Sequence, residues 1–403
     1  MLLPAVPIVS DRWRHRLERL AEQTRGDPPA DLAVLIRTEL GVDCTARYGG
    51  VPIPHPFGKA SGQLSFTLPQ VETDVAAGIG FVVLKTVIAE SPDGGRSMEA
   101  WAVPESRMFV EERMAAEGRR GWTVTWKGRG WAGTLEEYLK FFRAAMEVAR
   151  ERDVPVIPSV KYHLPVEVGD VSLSEYEHTT AELLGVWADV GCGGPMLLEK
   201  DLSPTLAGDD RATHRATILA WLRNVTGWVS GDRGADVRLG VKVMNALFED
   251  EFQVEMIEAL MNADPAPSYL VVFNRLYDAH RRVAYGGWEL SDRNLRALDR
   301  LRETGLSRLP LSATGNICSG RVMIEYAARG CESGQVHTFF QVPLTEYTAD
   351  GGSRSARALH TLLLHPRKGL VVWLRHLSEV GRLDAGGGEV RFLDLVGSAQ
   401  MAE

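Results

Sequence analysis

From Tyr48 onward, short apolar runs alternate with longer stretches whose apolar residues recur at helical spacing. The apolar runs predict strands at Gly80 to Ala89, Val154 to Val160, Met196 to Glu199, Leu239 to Met244, Tyr269 to Asn274, Leu309 to Ala313 and Gln335 to Phe340. Between most of them lie amphipathic stretches such as Leu135 to Arg150, Tyr176 to Ala188, Phe252 to Asn262 and Ser291 to Glu303. Repeated strand–helix units predict a parallel sheet, and their number fits a closed (β/α)8 TIM barrel of class α/β better than an open sheet. Ahead of the repeat, Trp13, Leu17 and Leu20 share one helical face, and Asp31 is placed to cap the run Leu32 to Leu40. The expected organisation is a helical N-terminal extension (1–45), a barrel (46–380) and a C-terminal tail (381–403). A last helix is expected from Gly369 to Val380. Residues 90–130, rich in glycine and tryptophan, read as a long irregular insertion at the barrel mouth, of the kind that forms a lid or substrate loop.

Composition narrows the class. Apolar residues make up 45% of the 403 positions and charged residues 24%, which suits a large buried core. The net charge of −8, with no lysine- and arginine-rich run interleaved with aromatics, argues against nucleic-acid binding. No stretch reaches the ~18 consecutive apolar residues of a membrane helix. The start of the chain lacks the pattern of a secretory signal, and four scattered cysteines without CxxC pairing disfavour a zinc site or a disulfide framework. The expectation is a cytoplasmic protein and candidate homodimer with no metal and no integral membrane segment, acting on a small molecule.

Candidate chemistry clusters at the predicted strand ends, where barrels carry their active sites. The stretch Leu311-Ser-Ala-Thr-Gly-Asn-Ile-Cys-Ser-Gly320 is a strand, a glycine turn and the start of a helix, the arrangement in which backbone N–H groups bind a phosphate. Glycine also ends strands for steric reasons, so an ordinary turn stays open. Lys85 and Lys242 fall within apolar strands, where a lysine is costly to bury without an anion or polar ligand. A salt bridge across the barrel would explain either alone; both, with Asn274 at another strand end, point to a shared ligand. Ser203 supplies a hydroxyl after the strand ending at Glu199, and His337 sits on the last strand. His163 is a further candidate base.

In order along the chain, His55-Pro-Phe-Gly-Lys-Ala-Ser-Gly62, Gly78-Ile-Gly-Phe-Val-Val-Leu-Lys-Thr86, Val241-Lys-Val243, Phe273-Asn274, Gly286-Gly287 and Ala313-Thr-Gly-Asn-Ile-Cys-Ser-Gly320 carry a resemblance. Together they resemble the FMN-binding barrel of the dihydroorotate dehydrogenase family, including the pyrimidine-reducing domain of dihydropyrimidine dehydrogenase, over residues 48–345. The resemblance implies FMN as cofactor. Ala60, Ser61 and Gly62 would line the flavin ring, and Gly315, Asn316, His337 and Thr338 would hold its phosphate. Lys242 would sit at the N1/C2 side, and Lys85 would approach both ring and substrate. Thr86, Asn274, Gly286 and Gly287 complete the implied cofactor set. The implied reaction is hydride transfer between flavin N5 and a substrate C–C or C–N bond, with Ser203 and Lys85 as the catalytic candidates.

The chain also departs from the family. The base loop reads Asp201-Leu-Ser-Pro-Thr205, one residue shorter than the family's and without its cysteine. The asparagine-bearing substrate loop is replaced by Trp126-Lys-Gly-Arg-Gly-Trp131, which leaves Asn274 as the clearest amide reader. Lys59, Asn274, Trp126 and Trp131 are the expected substrate side, and Lys127 and Arg129 suggest a substrate bearing negative charge. The expected activity is therefore an FMN-dependent oxidoreductase with a substrate other than dihydroorotate. A genuine dihydroorotate dehydrogenase with a rebuilt loop, a flavin-free lyase or aldolase using Lys85 as a Schiff-base amine, and a flavoprotein without catalysis stay open.

Overall fold

A computed structural model describes residues 2–398 apart from 103, 105–107, 115–118, 127–129, 166, 203–214, 232–233, 279, 282, 306–308 and 386–387. Its centre is a parallel sheet, curled into a barrel-like form. The segments run in the order Val87–Ile88, Ser159–Lys161, Met196–Leu202, Val237–Val243, Tyr269–Val272, Leu311–Thr314, Cys331–Val336, Phe57–Lys59, Val82–Val83 and Val156–Ile157. Helices Leu68–Ala76, Leu135–Arg150, Leu173–Asp189, Arg215–Ser230, Asp250–Met261, Leu290–Glu303 and Gly320–Ala327 follow strands in the chain. Their apolar faces pack on the sheet: Phe142, Leu183, Trp221, Leu222, Leu260 and Leu298 are buried. A reciprocal cap starts Leu135–Arg150. The Glu137 amide donates to the Thr134 hydroxyl (3.2 Å), and the Thr134 amide donates to the Glu137 carboxylate (3.0 Å).

The interior is filled in layers. Tyr48 stacks on Phe81 with ring centroids 3.9 Å apart, and Tyr269 meets Tyr48 edge-on. Gly240 makes room for this plug, since a Cβ there would fall 2.1 Å from the Tyr269 ring. Aromatic rings thus close the floor, and polar side chains lie beyond them.

Several sequence expectations need correction. The run Gly80 to Ala89 pairs as two short segments, and Val154 to Val160 breaks at Pro158, which has no N–H to donate to a ladder. Met196 to Glu199 continues to Leu202, Tyr269 to Asn274 stops at Val272, and Leu309 to Ala313 shifts to Leu311–Thr314. The last strand is Cys331–Val336, while Phe339 and Phe340 lie on a 3-10 turn beyond it. Apolarity misled there because the buried middle of the strand is Ser333, Gly334 and Gln335. Phe57–Lys59 is an additional strand.

The insertion is irregular only in its first part, where a 3-10 turn at Glu99–Trp101 is the one helical element among the described residues. Met108–Met114 and Arg120–Trp126 form an antiparallel hairpin, extended by Val283–Gly287 and Leu276–Asp278 from far along the chain. Its sequence already alternates aromatic and β-branched residues (Trp122, Val124), but the strand that completes it is distant.

At the N-terminus, helices Asp11–Gln23 and Leu32–Leu40 bury Trp13, Leu17, Leu20 and Ile36. Each of these removed from water contributes about 1.5–3 kcal/mol. Asp31 occupies the cap position of Leu32–Leu40 but makes no side-chain cap bond; its backbone carbonyl accepts from Val34 instead. The two chain ends are tied together, since Val390–Arg391 pairs with Val42–Asp43 and Phe392 and Leu395 are buried. Among the described residues no helix is long and apolar enough to cross a membrane.

Candidate functional site

A cavity opens where the parallel strands end. Every residue assigned to a cofactor from sequence lines it: Ala60, Ser61, Gly62, Lys85, Thr86, Lys242, Asn274, Gly286, Gly287, Gly315, Asn316, His337 and Thr338. These come from loops far apart in the chain, so the sheet is what brings them together.

One end of the cavity is built largely of backbone. Strand Leu311–Thr314 stops at Gly315, whose φ of +98° is closed to most side chains, and Asn316 follows at φ +54°. The Asn294 amide braces the turn, donating to the Thr314 carbonyl at 2.8 Å, and the Asn316 amide donates to the Ser291 hydroxyl at 2.9 Å. Ser319 then caps helix Gly320–Ala327, its hydroxyl accepting from the Val322 amide at 3.3 Å. Gly315 to Ser319 all line the cavity, joined by Thr361, His365 and Lys368 from a later part of the chain. Burial and the neighbouring Lys368 and Arg367 push the His365 imidazole down to about 4, so it is neutral near pH 7. A helix start, a glycine turn and a lysine suit an anion such as phosphate.

The hairpin supplies the rim, with Met108, Arg120, Gly121, Trp122 and Trp288. Gly287 (φ +100°) lets the chain pass Trp122, where a Cβ would meet the Trp122 carbonyl oxygen at 2.3 Å. Gly62 serves the same purpose under His337, whose Nε2 would be 2.6 Å from a Cβ. Burial, with Lys59, Lys242, Lys85 and Arg275 around it, drives the His337 imidazole down to about 3, so it stays neutral.

The inner wall is made of buried charge. Asp201 and Lys242 are register partners on adjacent strands, and Glu199 lies on the same face as Asp201. Lys242 Nζ stands 3.4 Å from Glu199 Oε1 and donates to Gln335 Oε1 at 2.7 Å. Gln335 in turn donates from its Nε2 to the Tyr48 hydroxyl (2.9 Å) and to the Glu199 carboxylate. A hydroxyl chain runs from the cavity into this layer: Ser61 to Thr86 (2.7 Å), Thr86 to Ser159 (3.1 Å), and Ser159 donating to Glu199 (3.2 Å). So the salt bridge anticipated for a buried lysine exists for Lys242, and its amine lines the cavity all the same.

Lys85 donates to Gln63 Oε1 at 2.8 Å. Burial, together with Arg275 and Lys161 and opposed by Asp201, pushes its amine down to about 7. That value suits an amine that gives or takes a proton near neutral pH. For Asp201, burial favours the neutral acid, but Lys161 (3.6 Å away), Arg275, Lys242 and Lys200 outweigh it and hold the carboxyl below its ordinary range.

The expected substrate side is only partly gathered here. Asn274 lines the cavity. Lys59 does not: Gly58 and Gln335 are register partners facing the interior, so Lys59, one residue on, leaves by the opposite face. There it forms a buried ion pair with Asp74 (3.0 Å) beneath the Phe340 ring. Trp131 is likewise a packing residue, stacked on Phe141 with ring centroids 5.5 Å apart and edge-on to Tyr138. Ser203, Lys127, Arg129 and the side chain of Trp126 lie outside the described residues.

Sequence reasoning missed Gln63, Asp201, Arg275, Gln335, His365 and Lys368. Asp201 and Arg275 were within reach, each being a charged residue at the end of an apolar strand. His365 and Lys368 carry no such signal, because nothing local says that their segment returns to the glycine turn.

No known family model matches this chain, and no curated protein matches it.

Proposed function

We propose that the chain is an FMN-dependent oxidoreductase on a closed (β/α)8 barrel, acting on a small cyclic or polar substrate other than dihydroorotate. Closure rests on the two ends of the sheet order. Val82–Val83 and Val87–Ile88 belong to one interrupted run, as do Val156–Ile157 and Ser159–Lys161, so the pairing returns on itself.

The observation that carries the functional reading is the pairing, in one cavity, of a phosphate-type glycine turn with a buried lysine. Gly315 to Ser319 and Lys368 would hold the phosphate, and Ala60, Ser61 and Gly286 would lie along the ring. Bound there, FMN would supply hydride transfer at N5. Lys242, whose amine stands 3.4 Å from Glu199, would offset negative charge at the pyrimidine side of that ring. Lys85, with its amine at about 7, would exchange a proton with the substrate. The neutral His337 would hydrogen-bond without adding charge. Against dihydroorotate stands the amide inventory: among the described residues the asparagines lining the cavity are Asn274 and Asn316, and the latter is engaged by Ser291. Each unmatched buried amide costs about 1–3 kcal/mol.

The purified protein should be yellow and release one FMN per chain on heating. A colourless protein that takes up no added FMN removes this reading. The amine of Lys85 at about 7 would then favour a Schiff-base lyase, which borohydride trapping of a carbonyl substrate on Lys85 would detect.

A further inference from the structure

Asp201 lies near the end of the strand Met196–Leu202, on the same face as Glu199 but closer to the cavity, which it lines. It is only 6% exposed. Glu199, deeper in, has its donors: Gln335, the Tyr48 hydroxyl at 3.3 Å and the Ser159 hydroxyl at 3.2 Å. Asp201 differs. Burial opposes its charge, yet Lys161, whose Nζ stands 3.6 Å from Oδ2, together with Arg275, Lys242 and Lys200 outweighs burial and keeps the carboxyl ionised. Its charge is therefore answered. Its hydrogen bonding is not, because among the described residues Oδ1 is buried and accepts from no donor. An ionised carboxylate only accepts, and a buried oxygen left short of a donor destabilises the protein that holds it.

What this part of the wall lacks is a donor and not a cation. An ammonium would press another positive charge against those that already face Asp201. A neutral O–H or N–H brings the donor without that repulsion. The last torsion of an aspartate is broad, so a small turn of the carboxylate presents the unpaired oxygen to an occupant of the cavity.

We infer that Asp201 recognises the substrate by accepting a hydrogen bond from a neutral O–H or ring N–H, which makes the substrate a neutral cyclic hydroxyl or lactam-type compound and not an amine. The inference deepens the flavin reading and rests on it for the place where the substrate lies. Asp201 thereby selects the compound that carries the donor over its methylated analogue.

Ligand-observed NMR titrations of the full-length protein with phenol, anisole, 2-pyridone, N-methyl-2-pyridone and benzylamine test it, with released FMN measured on the same preparation. In the parent, phenol should bind at least about tenfold more tightly than anisole, or 2-pyridone than its N-methyl form, as a hydrogen bond to a buried charged acceptor demands. The pair that shows the preference names the donor as O–H or N–H. Benzylamine should bind no more tightly than anisole. Asp201→Asn, whose amide both donates and accepts, should lose most of the preference while FMN content stays at the parent level. Asp201→Glu keeps the charge and moves the oxygens, so it should lose the preference too, and it serves if the asparagine form does not fold. Equal binding within both pairs to FMN-loaded parent protein overturns the inference, the result expected if a fixed water satisfies Oδ1. Tighter binding of benzylamine than of either donor overturns it as well, as does a preference unchanged in Asp201→Glu. A donor preference in protein that holds no FMN sustains the role of Asp201 and overturns the flavin reading instead.

Discussion

The two ends of the cavity are made of different materials. At the glycine turn, the chain offers backbone amides, held open by Gly315 and Asn316 in left-handed geometry and by the Ser319 cap. At the inner wall it offers charged side chains on or just beyond several strands, and Lys242 meets partners from two other strands, Glu199 and Gln335. Backbone geometry is a local property, and a turn built from it tolerates its surroundings. A buried ion network is a collective one, and removing a member exposes the cost of the rest.

The sharpest way to break this contrast is Lys242→Ala. It leaves Glu199 buried without its cation and should cost about 3–5 kcal/mol of stability, read by urea denaturation. That departs from the simple expectation for a cavity-facing lysine, whose loss a fold would bear. Glu199→Gln combined with Lys242→Met should recover most of the stability but not FMN loading, which separates the ion pair's role in folding from its role in the site. A double variant as unstable as the single one would show that the network is not what Lys242 supports.

Gly315→Ala probes the other end. Its φ of +98° and the 2.6 Å approach of a Cβ to Asn294 Nδ2 predict a cost of about 1–3 kcal/mol. FMN affinity should fall far more than stability does, because the turn amides move. Parent-level FMN binding in this variant would take the phosphate off the turn.

Lys200→Met is the smallest test and sharpens the electrostatic side. Lys200 is fully buried, and burial and Lys161, opposed by Asp201, push its amine down to about 7. Between pH 7 and the ordinary lysine value, the unfolded chain binds more protons than the folded one, so this group makes the parent more stable as pH rises. The variant lacks that contribution. It should be more stable than the parent at pH 7, with the advantage shrinking toward pH 10. An advantage that grows with pH would reverse the sign and the assignment.

Much of the cavity lining was legible. The strand, glycine turn and helix around Gly315, and the lysines inside apolar strands, carry their meaning in a few neighbouring residues. Lys59 was misassigned because strand residues alternate faces, and no motif states which face of Phe57–Lys59 meets the interior. Trp131 was misassigned because a tryptophan in a glycine-rich stretch looks alike whether it borders a ligand or packs on Phe141. Gln335 was passed over because polar residues inside a strand suppress the apolar signal that marks one.

The sequence by itself determined the alternation of strands and helices, the glycine turn at Gly315, and the presence of lysines that need partners. Each follows from torsional preference or from the cost of burying charge, both of which act within a few residues. Only the tertiary structure decided that Lys242 would meet Glu199 and Gln335, that Lys368 would return to the turn, and that the hairpin would join Val283–Gly287 to form the rim. Those are meetings between distant segments, set by strand register and chain path rather than by any residue's own preference.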